Sequence, residues 1–140
     1  MAPSNMVKAG DFASITALTR QAVANALGFT LAHIGVNGLD AQDGIQMARR
    51  MSHIFGLPIK DGLKSAFSGT MVEFSKGGLP GKNGHIGIGT INVARAMHFL
   101  ERRGATFREE YRHYDGKVAL DAIYLDEEIG GFAIHIVRRA

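Results

Sequence analysis

The chain contains no cysteine among its 140 residues. That absence removes disulfides, zinc–thiolate clusters and thiol nucleophiles together, so any metal site must be built from His, Asp or Glu. Also missing is an apolar run of the ~18 residues needed to span a bilayer. Residues 1–10 (MAPSNMVKAG) lack the apolar core of a secretion signal. The expectation is a cytoplasmic protein without a membrane partner. The formal net charge is +3, but the basic residues are scattered in pairs such as Arg49-Arg50, Arg102-Arg103 and Arg138-Arg139. Without a basic stripe or a stacking motif, nucleic acid is not an expected partner; a mild positive field suits a small anionic substrate.

What remains is an ordinary globular composition, 46% hydrophobic and 21% charged. The length fits one well-buried domain, or two half-size modules that share a core. The second possibility has a specific signal. Residues 33–37 read HIGVN and residues 85–89 read HIGIG, a repeat after 52 residues.

The periodicity around each copy is the same. Asp11 to Leu27 predicts an amphipathic leader helix capped by Asp11 and stopped by Gly28. Then FTLAHIGVNG (29–38) predicts a strand and AQDGIQMARRMSHIFGL (41–57) a helix closed by Gly56 and Pro58. LKSAFSG (63–69) and TMVEFSK (70–76) predict two further strands. After the connector GGLPGKNG (77–84) the order restarts with the strand HIGIGT (85–90) and a helix over 91–104 ended by Gly104. Strands follow over 105–114, 116–126 and 131–139, broken by Asp115-Gly116 and Gly130-Gly131. The predicted organisation is a leader helix over 1–28 and an α+β domain over 29–140, with module one at 29–80 and module two at 81–140. Each module buries one sheet face under its helix, and paired they form one curved sheet.

Side chains alternate along a strand, so one register sorts them into two faces. Ile34 and Val36 oppose His33 and Gly35; Ile86 and Ile88 oppose His85, Gly87 and Gly89. Val72 and Phe74 oppose Met71, Glu73 and Ser75, and Phe132, Ile134 and Ile136 oppose Ala133, His135 and Val137. One face is bulky and apolar and belongs under the helices. The other carries a single His or Glu among mostly small residues, which leaves a hollow. If His33, Glu73, His85 and His135 converge, three imidazoles and a carboxylate suit a divalent Zn, Ni, Co, Mn or Fe ion. The alternative is a polar cavity whose histidines and glutamate hydrogen-bond to one another and to water.

The remaining candidates carry less chemistry. His53 and His98 are expected in solvent. His113, with Tyr111 and Arg112, is placed at most at a pocket mouth. Tyr124, Asp126, Glu127 and Glu128 are read as lying near a turn, the acidic run solvated. GGLPGKNG lacks a phosphate-loop pattern and reads as a connector, within which Lys82 is available to an anion.

The duplicated strand–helix–strands unit, with His-Ile-Gly opening both halves, resembles the vicinal oxygen chelate superfamily of glyoxalases, bleomycin- and fosfomycin-resistance proteins and extradiol dioxygenases. The likeness covers about residues 29–139. It implies two βαβββ modules forming a cupped mixed sheet around a divalent metal. The first and last strands of each module supply the ligands, which places His33, Glu73, His85 and His135 at matching positions. One departure is His135, where many members carry Glu. A narrower likeness links PSNMVKAGDFASITALTRQAVANALGF and AIYLDEEIGGFAIHIVRR to the extension at the C-terminal end of some bacterial 2-keto-3-deoxy-6-phosphogluconate/4-hydroxy-2-oxoglutarate aldolases. Schiff-base aldolase activity itself is not implied, because 140 residues cannot hold that barrel beside the paired modules. The function expected is a metal-dependent isomerase, epimerase or lyase acting on a small oxo or hydroxy acid or sugar-acid derivative. In it Glu73 doubles as the base and the protein forms a homodimer. The alternatives are a non-catalytic ligand-binding or aldolase-partner module and, less favoured, Fe(II) dioxygenase chemistry.

Overall fold

The computed structural model describes residues 2–114, 116 and 119–139. Two helices precede the sheet: α1 (Ser4–Lys8) and α2 (Phe12–Leu27). The leader helix expected from Asp11 to Leu27 is α2; the short α1 before it is set apart by Gly10 (φ 66°), whose left-handed conformation breaks the helical run. α2 begins where Asp11 accepts the Ser14 amide at 3.1 Å and ends at Gly28, as its sequence predicts.

The repeated units follow in register with the sequence. The first contains β1 (Thr30–Asn37), α3 (Ala41–Phe55), β2 (Ile59–Asp61), β3 (Ser65–Ser68) and β4 (Val72–Ser75). The second contains β5 (His85–Thr90), α4 (Val93–Glu101), β6 (Phe107–Tyr114), β7 (Leu120–Ile129) and β8 (Phe132–Arg138). Both module helices start on a side-chain cap, Asp40 accepting from the Asp43 amide and Asn92 from the Arg95 amide, each at 2.9 Å. Three differences from the sequence reading stand out. β2 is an additional edge strand, α4 ends at Glu101 rather than running to Gly104, and β7 begins at Leu120 rather than 116. Asp115, Lys117 and Val118 of that expected turn and strand, with Met1 and Ala140 of the expected domain limits, lie outside the described residues.

All strands join one eight-stranded sheet in the order β2-β3-β4-β1-β5-β8-β7-β6. At its centre β1 and β5 run antiparallel, while β1 pairs in parallel with β4 and β5 in parallel with β8. Read outward from the seam, each half places the strands of its unit in the order first, fourth, third, second. This is the α+β arrangement of paired βαβββ modules that the sequence predicts, with both modules in one chain.

The helices cover the outer face of the sheet. α3 packs on β3 and β4 over Ala48, Ala66 and Phe74; α4 packs on β7 and β8 over Val93, Ala96, Ile123 and Ile136. Ile123 and Ile136 are sealed from water, each contributing about 2–3 kcal/mol of apolar burial. The expectation that every bulky strand face lies under a helix fails at the seam. Ile34 is 41% exposed because each helix sits over the outer strands of its own half. No helix among the described residues is long and apolar enough to cross a membrane.

Candidate metal centre

The inner face of the seam is assembled by pairing geometry. Antiparallel register sets His33 opposite Gly87 and Gly35 opposite His85; the parallel neighbours set Glu73 beside Gly35 and His135 beside Gly87. Each repeated glycine thus lies between two candidate ligands, and each repeated histidine reaches over the glycine of the other copy. The spacing His-x-Gly makes this possible because residues two apart on a strand share a face. A Cβ built on Gly87 would come within 2.6 Å of His33 Cε1 and 2.8 Å of His135 Nε2, and one on Gly35 would overlap the His85 ring. Neither glycine has a positive φ, so what they supply is space.

Into that space all four candidates converge. His33 Nε2 lies 3.2 Å from His85 Nε2, 3.0 Å from His135 Nε2 and 3.2 Å from Glu73 Oε2, and His85 Nε2 lies 3.2 Å from the same carboxylate oxygen. His85 is wholly buried; His135 is buried, and His33 and Glu73 are largely so. Around them stand aromatic rings. Phe67, opposite Glu73 on β3, meets His33 edge-on at 5.9 Å, and Tyr124, opposite His135 on β7, stacks on that imidazole at 4.6 Å.

No arrangement of ring protons satisfies these contacts. If His33 Nε2 carries its proton and donates to Glu73, His85 must accept from it and then faces the carboxylate lone pair to lone pair. If His33 Nε2 is unprotonated, it faces Glu73 in the same unfavourable way. A cation at the centre removes the conflict, since every Nε2 and the carboxylate oxygen then offers a lone pair to it. The separations fit as well: with ~2.1 Å bonds, ligand atoms lie about 3.0 Å apart in cis octahedral and about 3.4 Å apart in tetrahedral coordination. His33, His85 and His135 form a group able to hold a metal ion.

The electrostatics favour an ionised Glu73 and a neutral His135. Burial alone would push the Glu73 carboxyl up, but hydrogen bonds with His33, His85 and Ser65 outweigh it and hold Glu73 well below the usual carboxylate range. Burial, reinforced by the neighbouring His33 and His85, pushes His135 down to about 3, so its ring is neutral at physiological pH. Burial also raises the Tyr124 phenol, helped by the Glu73 charge, so it stays protonated.

Residues outside the centre sort differently. His53 and His98 are exposed, as expected, and His113 is exposed with its Nδ1 3.8 Å from Asp121 Oδ2. Tyr124 does not lie near a turn: it is mid-strand, buried, and the site residue that the sequence reading misplaced. Tyr111 sits behind it with ring centroids 5.4 Å apart. Phe67 also escaped notice; its one signal is alternation with Ala66 and Ser68 in SAFS. In the connector, Asn37 Nδ2 donates to the Leu79 and Gly81 carbonyls, and the Lys82 amide approaches Glu128 Oε2 at 3.4 Å.

Comparison with known proteins adds evidence at the level of fold. No family model matches the chain, and no curated protein matches its sequence. Among solved structures, a hypothetical protein from Bacillus halodurans is similar with a TM-score of 0.55 and 13% identity, over 80% of this chain and 95% of that one. Streptomyces coelicolor methylmalonyl-CoA epimerase in complex with 2-nitronate-propionyl-CoA has a TM-score of 0.55 and 13% identity over 79% of this chain and 94% of that one. A methylmalonyl-CoA epimerase in complex with methylmalonyl-CoA and an ammonium ion has a TM-score of 0.54 and 14% identity over the same shares. The narrower likeness to an aldolase extension gains no support from these findings. At such identities what this chain shares with the epimerases is their fold, the glyoxalase-like cupped sheet.

Proposed function

We propose that the chain is a metal-dependent enzyme of the vicinal oxygen chelate type. Its substrate is a small oxo or hydroxy acid, or a sugar-acid derivative, that presents two neighbouring oxygens to the centre. The observation that carries this reading is the set of four short contacts among His33, His85, His135 and Glu73, which no arrangement of ring protons satisfies while Glu73 is ionised and which a divalent ion would relieve. The three imidazoles would hold the ion through Nε2 and Glu73 through Oε2, and Zn, Ni, Co, Mn and Fe all accept such donors. When bound, the ion supplies Lewis acidity with a net formal charge of about +1 after one carboxylate, which favours a developing oxyanion.

The chain's own groups account for the rest of the chemistry. The glycines at 35 and 87 make room for the imidazoles, and the rings of Tyr124 and Phe67 stand against them. Glu73 is the carboxylate in the cluster, so proton abstraction from the substrate would fall to it once it leaves the ion. That chemistry gives isomerisation, epimerisation or lyase outcomes. The fold likeness to methylmalonyl-CoA epimerases supports the first two. We take the modules as 29–80 and 81–140 and the working form as a homodimer in the cytoplasm.

One observation favours a second reading. Glu73 already faces two histidines, at 3.2 Å each, so a centre that keeps it as a ligand has no free base and would serve as a non-catalytic binding module. Elemental analysis of the purified protein, with His85→Ala and His135→Ala beside it, tests the metal; about one equivalent in wild type and loss in both variants is expected. Full metal retention in both variants would overturn the ligand set. Proton exchange at the carbon next to the carboxylate, followed by NMR in deuterated water across a panel of oxo and hydroxy acids, then separates enzyme from module. Binding without exchange for every acid that binds would leave only the module.

A further inference from the structure

Buried metal-binding histidines ordinarily have their planes set by a hydrogen bond from Nδ1–H to a carboxylate or carbonyl. Here that support is missing: among the described residues, Nδ1 of His85 and Nδ1 of His135 are both buried without a hydrogen-bond partner. Something else must hold two rings that are each free to turn about their own bonds. For His135, whose ring is met edge-on by His33 at 4.9 Å and by His85 at 5.1 Å, one ring among the described residues lies parallel to it. Tyr124, 8% exposed, lies directly opposite it in the β7–β8 register, with ring planes 19° apart and centroids at 4.6 Å. The same ring meets His85 edge-on at 6.0 Å and 75°. Tyr124 is itself braced by Tyr111 at 5.4 Å, and its strand partner Arg108 is tied to the Asp126 carbonyl at 3.1 Å.

We infer that Tyr124 is the positioning residue of the centre, setting the planes of His135 and His85 by ring contact in place of the absent hydrogen bonds. This rests on the metal reading above and goes beyond it, because it assigns the task to the aromatic face and not to the hydroxyl. A stacked ring restrains ring tilt while leaving Nδ1 without an acceptor. The rule separates the two possible roles cleanly: phenylalanine keeps the face and loses the hydroxyl, whereas leucine keeps bulk and loses the plane.

The test is a cobalt(II) titration of the full chain, following the visible ligand-field bands and the dissociation constant. Tyr124→Phe is expected to match wild type within about twofold, and Tyr124→Leu to bind about tenfold more weakly with shifted bands, the scale of losing a supporting group around a ligand. Leu125→Ala, which opens the core on the opposite face of β7, serves as the control. It should lower the melting temperature yet leave the bands unchanged. If Tyr124→Leu does not fold, Tyr124→Met tests the same loss of a planar face. Unchanged affinity and bands in the leucine or methionine variant would overturn the positioning role, and an equal loss in Tyr124→Phe would transfer it to the hydroxyl. Wild type that takes up no cobalt would instead overturn the metal reading itself.

Discussion

His33 and His85, 52 residues apart, meet through their Nε2 atoms at 3.2 Å, and each reaches that position over the glycine that follows the other by two residues. The repeat therefore has one physical function in both copies. Each His-x-Gly contributes an imidazole and clears the space for the imidazole of its twin.

Replacing that space should abolish the centre while sparing the backbone. Gly35→Ala introduces a methyl where the His85 ring lies, yet alanine fits the local backbone because φ there is not positive. We expect metal affinity to fall at least tenfold, checked by titration. Gly104→Ala serves as the contrast: its Cβ meets nothing, but φ is 91°, so about 1 kcal/mol or more of stability should be lost with metal binding intact. Wild-type metal binding in Gly35→Ala would show that the ring can move aside and that the glycine is not required.

Much of this was legible in the sequence because strand alternation is exact in the repeats. HIGIGT is β5 residue for residue, and its alternation puts His85 and Gly87 on one face before any coordinates exist. Tyr124 is hard to place because its strand is irregular: the pairing with β8 shifts by two residues between Tyr124 and Glu128, so register counted back from the Gly130-Gly131 turn sets Asp126, not Tyr124, opposite His135. β2 escaped for a different reason. Its three residues are all exposed at the sheet edge and carry no period to read. The uncovered Ile34 depends on where two helices come to rest, a tertiary fact that a strand's own pattern does not contain.

Metal should stabilise the fold through the same donors. An ion that binds only the folded chain adds RT ln(1 + [L]/Kd), about 2.7 kcal/mol at a hundredfold excess over Kd. For a domain of this size that is a melting-temperature rise of roughly 5–10 °C. The rise should disappear with chelator and be absent in His85→Ala. A rise of equal size in that variant would mean that the ion stabilises the protein from somewhere else.

A second polar pair pins the first module's helix to its sheet. Ser52 on α3 and Ser68 on β3 share a buried hydrogen bond of 2.8 Å. Ser52→Ala strands the Ser68 hydroxyl away from water and should cost about 1–3 kcal/mol in urea unfolding. Adding Ser68→Ala removes the stranded group, so the double variant should be no less stable than the single one. Strict additivity of two such losses would show that the bond contributes nothing beyond each hydroxyl's own burial.

Acid should unfold the metal-free protein earlier than its charge alone suggests, and the sign follows from two groups. His135 is pushed down to about 3, chiefly by burial and then by His33 and His85, against an ordinary value of 6.5. Glu73, despite burial, is held below its ordinary 4.5 by His33, His85 and Ser65. In both cases the unfolded chain binds the proton first. For His135 the contribution to stability is complete above pH 6.5 and is lost as pH falls from there toward about 3; Glu73 adds its own loss below 4.5. The limit is about 1.4 kcal/mol per pH unit for each proton. Urea midpoints of chelator-treated protein should thus be flat from pH 8 to about 7 and drop steadily between about 6 and 4. Tyr124→Phe should keep this profile, since the stacked ring still excludes water from His135, whereas His135→Asn should flatten its upper part. A midpoint that stays level to pH 5 in the parent chain would mean that His135 takes up its proton as readily folded as unfolded, and so is not sealed in the cup.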